Sequence, residues 1–171
     1  MGKLENRFKW CLERGEKGEK HKGLRKIEPD IKESENQIKK SLSDLNTMNY
    51  LYKGKRTDWV ASAAFYSMYH SLLALLFKLG YESRNQECTI TAVENFMKDG
   101  NIDLEKEYLD MIRILKNNGE GAKSIREEMQ YSSETSMEDD KCKELMGNAK
   151  KFVERIREII ESINEEEPEK E

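Results

Sequence analysis

The sequence predicts an all-α fold, an up-and-down bundle of about five helices. Three observations predict it. Only two prolines, Pro29 and Pro168, occur in 171 residues, so long helices can run between them unbroken. Apolar side chains recur in helical steps along most of the chain, the pattern of a buried helix face. No segment alternates apolar and polar residues convincingly; Thr89-Ile90-Thr91 is short and sits in a helical pattern.

The first segment, Leu4 to Glu13, forms a short helix carrying Phe8, Trp10 and Leu12. Gly15, Gly18 and Gly23 among charges then make a flexible connector. The next helix carries Ile31, Ile38, Leu42, Leu45 and Tyr52 on one stripe, broken only by Asn49. Pro29 stands where proline is tolerated, Asp30 can cap the start, and Gly54 marks the end. Thr57 or Asp58 opens the central helix, which runs through Trp59, Ala63, Tyr66, His70, Leu73 and Phe77 to Gly80. Its other side offers Ala61, Phe65, Met68, Leu72, Leu75 and Leu79, so neighbours are expected on both faces.

A short helix around Ile90, Val93, Phe96 and Met97 stops at Gly100. Asp103 caps a helix with Leu104, Tyr108, Met111, Ile112 and Leu115. Asn117, Asn118, Gly119 and Gly121 interrupt it, and Ile125 and Met129 lie on its continuation. The final helix is the cleanest. Cys142, Leu145, Ala149, Phe152, Ile156, Ile159 and Ile163 make an a/d stripe suited to bundle packing.

Charge divides the chain. Residues 1–30 hold nine Lys/Arg against six Asp/Glu, a local net of +3, whereas residues 134–171 hold seven against thirteen, a net of −6. The organisation expected is a basic N-terminal helix and connector over 1–29, a bundle over 30–164 and a solvated acidic tail over 165–171. The overall net charge of −4 supplies no global case for nucleic-acid binding. Cys11, Cys88 and Cys142 lack paired spacing and no secretory leader precedes them, so the expectation is a cytoplasmic chain without a disulfide framework. Trp59 to Phe77 is uncharged and almost long enough to span a bilayer. Its serines, tyrosines and His70 are costly in hydrocarbon, so it is read as the buried centre of a soluble bundle, with no membrane partner.

Several chemistries are excluded by motif. The chain has no phosphate-binding GxxxxGK[ST], no GxGxxG, no HExxH and no CxxC. Only His21 and His70 are present, which excludes a multi-histidine metal centre. A di-metal bundle needs a glutamate three residues before each histidine, and Gly18 and Ser67 stand there instead. No metal and no cofactor is therefore expected. His70 stands out, mid-helix in an uncharged stretch. A core imidazole bonded to a neighbour such as Tyr66 or Ser71 is one reading. A general acid or base is the other, since imidazole titrates near neutrality.

The run Asp58-Trp59-Val60-Ala61-Ser62-Ala63-Ala64-Phe65-Tyr66-Ser67-Met68-Tyr69-His70 resembles the central helix of HEPN domains. Leu72 to Leu76 and Gly80 match that helix's leucine-rich end. Arg126-Glu127-Glu128-Met129-Gln130-Tyr131 is similar to the family's Arg-x-x-Ala-Asp-Tyr element, and the closing amphipathic helix also fits. The resemblance implies a helical bundle that pairs as a homodimer through its central helices. Many members are metal-independent ribonucleases, and some are toxins encoded beside an MNT-type nucleotidyltransferase antitoxin. Others bind nucleotides or serve as non-catalytic modules. The family's active motif is an arginine, four to six residues, then a histidine. The histidine can move the 2′-hydroxyl proton and the arginine can stabilise the phosphorane.

His70 matches the motif's histidine, but Ala63, Ala64 and Phe65 occupy the arginine's places. Arg14 and His21 satisfy the literal spacing, within a glycine-charge connector that lacks central-helix context. Arg84 is the first candidate to replace the missing cation, with Arg126, Arg56 or a residue of a second chain behind it. The expected site is thus His70 as catalytic residue, with Tyr66, Arg84 and Arg126 as ligand-binding residues. The expected function is a homodimeric module that binds RNA or nucleotide, with an incomplete ribonuclease motif; the resemblance implies a toxin-antitoxin arrangement with a nucleotidyltransferase as its candidate partner. A catalytically silent interaction module and an active ribonuclease rescued by another arginine are the alternatives.

Overall fold

The computed structural model describes residues 2–113 and 121–166. Among them the chain forms α1 (Lys3–Gly15), β1 (Leu24–Lys26), α2 (Ile31–Lys53), α3 (Thr57–Lys78), β2 (Tyr81–Ser83), α4 (Gln86–Lys98), α5 (Lys106–Ile112), α6 (Ala122–Tyr131) and α7 (Asp139–Glu166). The fold class is all-α, as the spacing predicts. After α1 come six helices rather than about five, because the stretch read as one interrupted helix forms α5 and α6 separately. Gly121 stands immediately before α6; the breakers Asn117, Asn118 and Gly119 lie outside the described residues, as does most of the acidic tail.

The chain separates into two compact units. The first takes Met1–Gln37, Leu72–Leu104 and Ile156–Glu171, and the second Ile38–Ser71 and Glu105–Arg155. In the first unit α1 docks on α4. The ring of Phe8 meets that of Phe96 edge-on at 5.9 Å, and Arg7 Nη2 donates to Thr91 Oγ1 at 3.1 Å. A disulfide joins Cys11 to Cys88 across this contact. The sequence predicts a chain without a disulfide framework, and this single bridge departs from that expectation. The partners are 77 residues apart, so only the docking of α1 makes them neighbours, and local spacing rules do not reach that far.

The same unit holds a two-stranded antiparallel sheet that the sequence reading missed, with Leu24 opposite Ser83, Arg25 opposite Glu82 and Lys26 opposite Tyr81. Three residues are too few to display an alternation. Gly80 ends α3 with φ +81°, and a Cβ there would lie 2.8 Å from the Ile27 carbonyl oxygen, which accepts no substitute for glycine without backbone movement.

In the second unit α2 and α3 run antiparallel. The hydroxyl of Ser41 donates to the Ser67 carbonyl of α3 at 2.7 Å, and Met48 is fully buried. The buried line of this part of α2 is therefore Ser41 and Met48. The apolar stripe read from the sequence is only half-buried at Ile38, Leu42, Leu45 and Tyr52. Small hydroxyls let α2 approach closely enough for the α3 backbone to accept a hydrogen bond, which a leucine would prevent. Among the described residues α3 is the helix long and apolar enough to cross a membrane, and it is a core helix: Val60, Ala61, Phe65 and Met68 are fully buried. On α7, Cys142, Leu145, Ala149 and Phe152 are buried, and in the first unit Ile156 and Ile159 continue the predicted stripe.

Helix ends follow the sequence in part. Asp30 Oδ1 accepts from Glu33 N at 2.9 Å, the expected cap of α2. Gly54 follows α2, but the left-handed residue is Lys55, with Arg56 N donating back to Leu51 O and Lys55 N to Tyr52 O. Thr57 does not cap α3; it lies within the helix and its Oγ1 accepts from Met137 N at 2.9 Å. Asp103 likewise yields the start of α5 to Glu105.

Candidate functional site

One helix face of α3, spaced in steps of three and four, presents Trp59, Ser62, Ala63, Tyr66 and His70. Across from it, α2 presents Lys40, Asp44, Thr47 and Leu51. These nine residues line a groove of about 440 Å³. The sequence reading placed Trp59, Ala63, Tyr66 and His70 on a common face and expected neighbours to cover it. In the structure that face is the open one: Trp59 is 55% exposed, and Tyr66 and His70 are half-buried.

His70 Nδ1 lies 2.6 Å from Asp44 Oδ2. A carboxylate only accepts, so the ring donates from Nδ1. The pairing follows from helix geometry. Side chains lean toward the N-terminus of their own helix, so on antiparallel helices Asp44 and His70 lean toward each other. The His70 ring lies 26° from parallel to the Tyr66 ring, with centroids 5.9 Å apart. An imidazole oriented by a carboxylate and set on the wall of an open groove can take up or deliver a proton. Lys40 adds a cation to the same wall.

The other predicted residues divide. Arg126, on α6, holds its guanidinium 4.8 Å from the Phe65 ring centroid and 5.8 Å from that of Tyr66. It therefore stacks on Phe65, one of the places where the resemblance puts an arginine. Its Nη1 donates to Gln130 Oε1 at 3.3 Å, whereas its Nε is buried without a partner among the described residues. Arg84 belongs to the first unit, where Nη2 pairs with Glu82 at 2.8 Å and Nη1 donates to Glu19 O at 2.6 Å; it is not among the residues lining the groove. Arg56 pairs with Asp58 at 3.3 Å.

His21 has a different setting. Its side chain is fully covered, Gly23 N donates to Nδ1 at 3.3 Å, and Nε2 donates to Glu82 Oε2 at 3.2 Å. Both nitrogens are engaged, so the literal Arg14–His21 spacing presents no free imidazole. Burial pushes the Glu82 carboxyl up, but hydrogen bonds from His21 and Arg84 outweigh it and hold Glu82 below its ordinary range.

Asp44, Lys40 and Thr47 were missed by the sequence reading. The available signal was their spacing: Lys40, Asp44 and Thr47 follow one another by four and three on α2, a polar line beside the apolar stripe. Among the described residues no group of three or more His, Cys, Asp and Glu is arranged to hold a metal.

No curated protein matches the chain. A sequence profile of the HEPN domain does, over residues 34–159, a span that starts in the first turns of α2 and takes in Asp44, Tyr66, His70 and Arg126. With the all-α fold and the central α3 it describes, that match establishes that the chain belongs to the HEPN domain family.

Proposed function

We propose that this protein is a cytoplasmic homodimer that binds a nucleotide or RNA in the groove between α2 and α3. Family membership makes it a nucleotide- or RNA-related module at the level of the family. The observation that carries the finer reading is the Asp44–His70 pair, at 2.6 Å on the wall of an open groove rather than sealed in the core. In this reading Trp59 and Tyr66 offer aromatic surface to a base, Lys40 offers charge to a phosphate, His70 meets a ribose hydroxyl, and Arg126, which stacks behind Tyr66 and does not line the groove, supports the aromatic wall. Residues 30–164 form the binding module in this reading, and 1–29 are an added basic element.

Cleavage is expected to be slow. Losing a positioned charge stabiliser costs about a hundred-fold to a thousand-fold in rate, and Ala63, Ala64 and Phe65 stand where the arginine belongs. That same absence favours the second reading, a silent interaction module. The nucleotidyltransferase partner rests on the family resemblance, and co-purification with such a protein tests it. The cytoplasmic assignment meets one opposing feature, the Cys11–Cys88 bridge, which is uncommon in reducing compartments.

The test is titration of the protein with nucleoside monophosphates and a short single-stranded RNA, followed by tryptophan fluorescence in a Trp10→Phe background so that Trp59 reports. Saturable quenching is expected, weakened about ten-fold or more by His70→Ala and by Lys40→Ala, as losing one charge-assisted contact implies. Binding that is absent, or unchanged in both variants, would sink the groove and leave the silent module.

A further inference from the structure

The N-terminal connector, expected to be flexible, is instead pinned. Arg25 Nε and Nη2 donate to the Gly15 carbonyl at 2.9 and 2.8 Å, and Nη2 also reaches the Gly18 carbonyl. Arg84 Nη1 holds the Glu19 carbonyl at 2.6 Å, and Arg14 Nε donates to Lys22 O at 3.1 Å. Gly23 is packed so closely that a Cβ would fall 2.4 Å from the Cys11 carbonyl oxygen. His21 is buried beneath, tied to Glu82. Three basic side chains thus grip the backbone of the loop and its flanks.

The fixed loop turns Lys17, Lys20 and Lys22 outward. Arg14, Lys17, Lys20 and Lys22 line a concavity of about 310 Å³ together with His21, and no carboxylate lines it. Lys17, Lys20 and Lys22 are exposed. Among the described residues none forms an ion pair with these three. Glu16 and Glu19 share the loop, yet neither lines the concavity. Beside it, Arg14 lies 4.7 Å over the ring of Trp10, which is 49% exposed. Fixed cations and an accessible aromatic ring together match a phosphate backbone with an unstacked base.

We infer that the Arg14–Lys22 loop is a second binding site, for the phosphate backbone of single-stranded nucleic acid, carried by residues that the HEPN match does not cover. Uneven charge makes the effect local. The chain carries −4 overall, so a polyanion is repelled by the molecule as a whole and held only where cations are concentrated. The site goes beyond the groove at His70 and does not depend on it.

The test uses the full chain in a His70→Ala/Lys40→Ala background, which weakens the groove's contribution. Anisotropy of labelled oligouridylate and oligothymidylate of equal length is followed across salt. Four phosphate contacts predict a log–log salt slope of about −2.8, or roughly a 50-fold loss of affinity between 50 and 200 mM salt. Lys17→Ala, Lys20→Ala and Lys22→Ala combined should flatten the slope toward about −0.7 and weaken binding at least about ten-fold at low salt. The matching triple Lys→Arg variant should keep both, and equal melting temperatures of the two variants exclude a folding defect. Tighter binding of RNA than DNA identifies RNA as the source of the phosphates; equal binding identifies either strand. An unchanged slope in the triple alanine variant, or attachment to anionic phospholipid vesicles with no binding to either oligomer, overturns the site.

Discussion

At the scale of single residues, Asp44 and Glu82 do parallel work, each carboxylate holding a histidine. Asp44 meets His70 on the wall of a groove, while Glu82 meets His21 under a loop. The environments separate them: His21 is covered with both nitrogens bonded, and His70 keeps partial exposure. Glu82 also carries a pH signature. Its folded carboxyl is held below the ordinary value, burial raising it and the His21 and Arg84 hydrogen bonds lowering it more. A group depressed on folding adds stability above its unfolded value, and that stability is lost as pH falls through the folded one. Acid from about pH 4.5 downward should therefore loosen the β1–β2 region. Denaturant titrations at pH 7 and pH 3.5 measure it: the wild type should lose more stability on acidification than Glu82→Gln, and equal losses would remove Glu82 as the cause. His70 was legible because it interrupts an uncharged run. Asp44 was not, because one acid among the many charges of α2 looks like a solvated face until α3 is laid beside it.

At the scale of elements, α1 shows how far pattern reading extends. Phe8 is visible in the sequence as an apolar anchor, and the helix forms where the spacing puts it. The surface that receives it, on α4, is named by no local rule. The Cys11–Cys88 bridge closes a loop of 77 residues and should contribute about 2–5 kcal/mol where it is formed. Comparing melts with and without reductant checks this. The wild type should fall in melting temperature, whereas Cys11→Ser/Cys88→Ser should start low and stay unmoved by reductant. Helix α2 repeats the lesson in another form. Its leucine stripe predicts the buried face, yet Ser41 takes the close contact with α3 and leaves Leu42 and Leu45 half-buried. Periodicity reports that a helix is amphipathic but not which line of residues faces which neighbour.

At the scale of the whole molecule, that half-covered stripe bears on assembly. Ile38, Leu42 and Leu45 are half-buried in a single chain, and a homodimer whose seam extends from the central helix α3 onto α2 would cover them. Light scattering at micromolar concentration should report a dimer. Leu45→Glu should convert it to a monomer while leaving helical circular dichroism intact; a wild-type monomer would remove the dimer from the reading. By itself the sequence determined the helical class, the buried core of α3, the α7 stripe and the single prominent histidine, because helical periodicity and charge gaps are local properties of the chain. Only the tertiary structure decided that Asp44 orients His70, that Arg126 rather than Arg84 reaches the aromatic pair Phe65 and Tyr66, that two distant cysteines meet, and that a glycine-rich connector is hydrogen-bonded by three arginines. Each of these depends on contacts between residues far apart in sequence, whose partners are selected by how helices pack and not by spacing along any one of them.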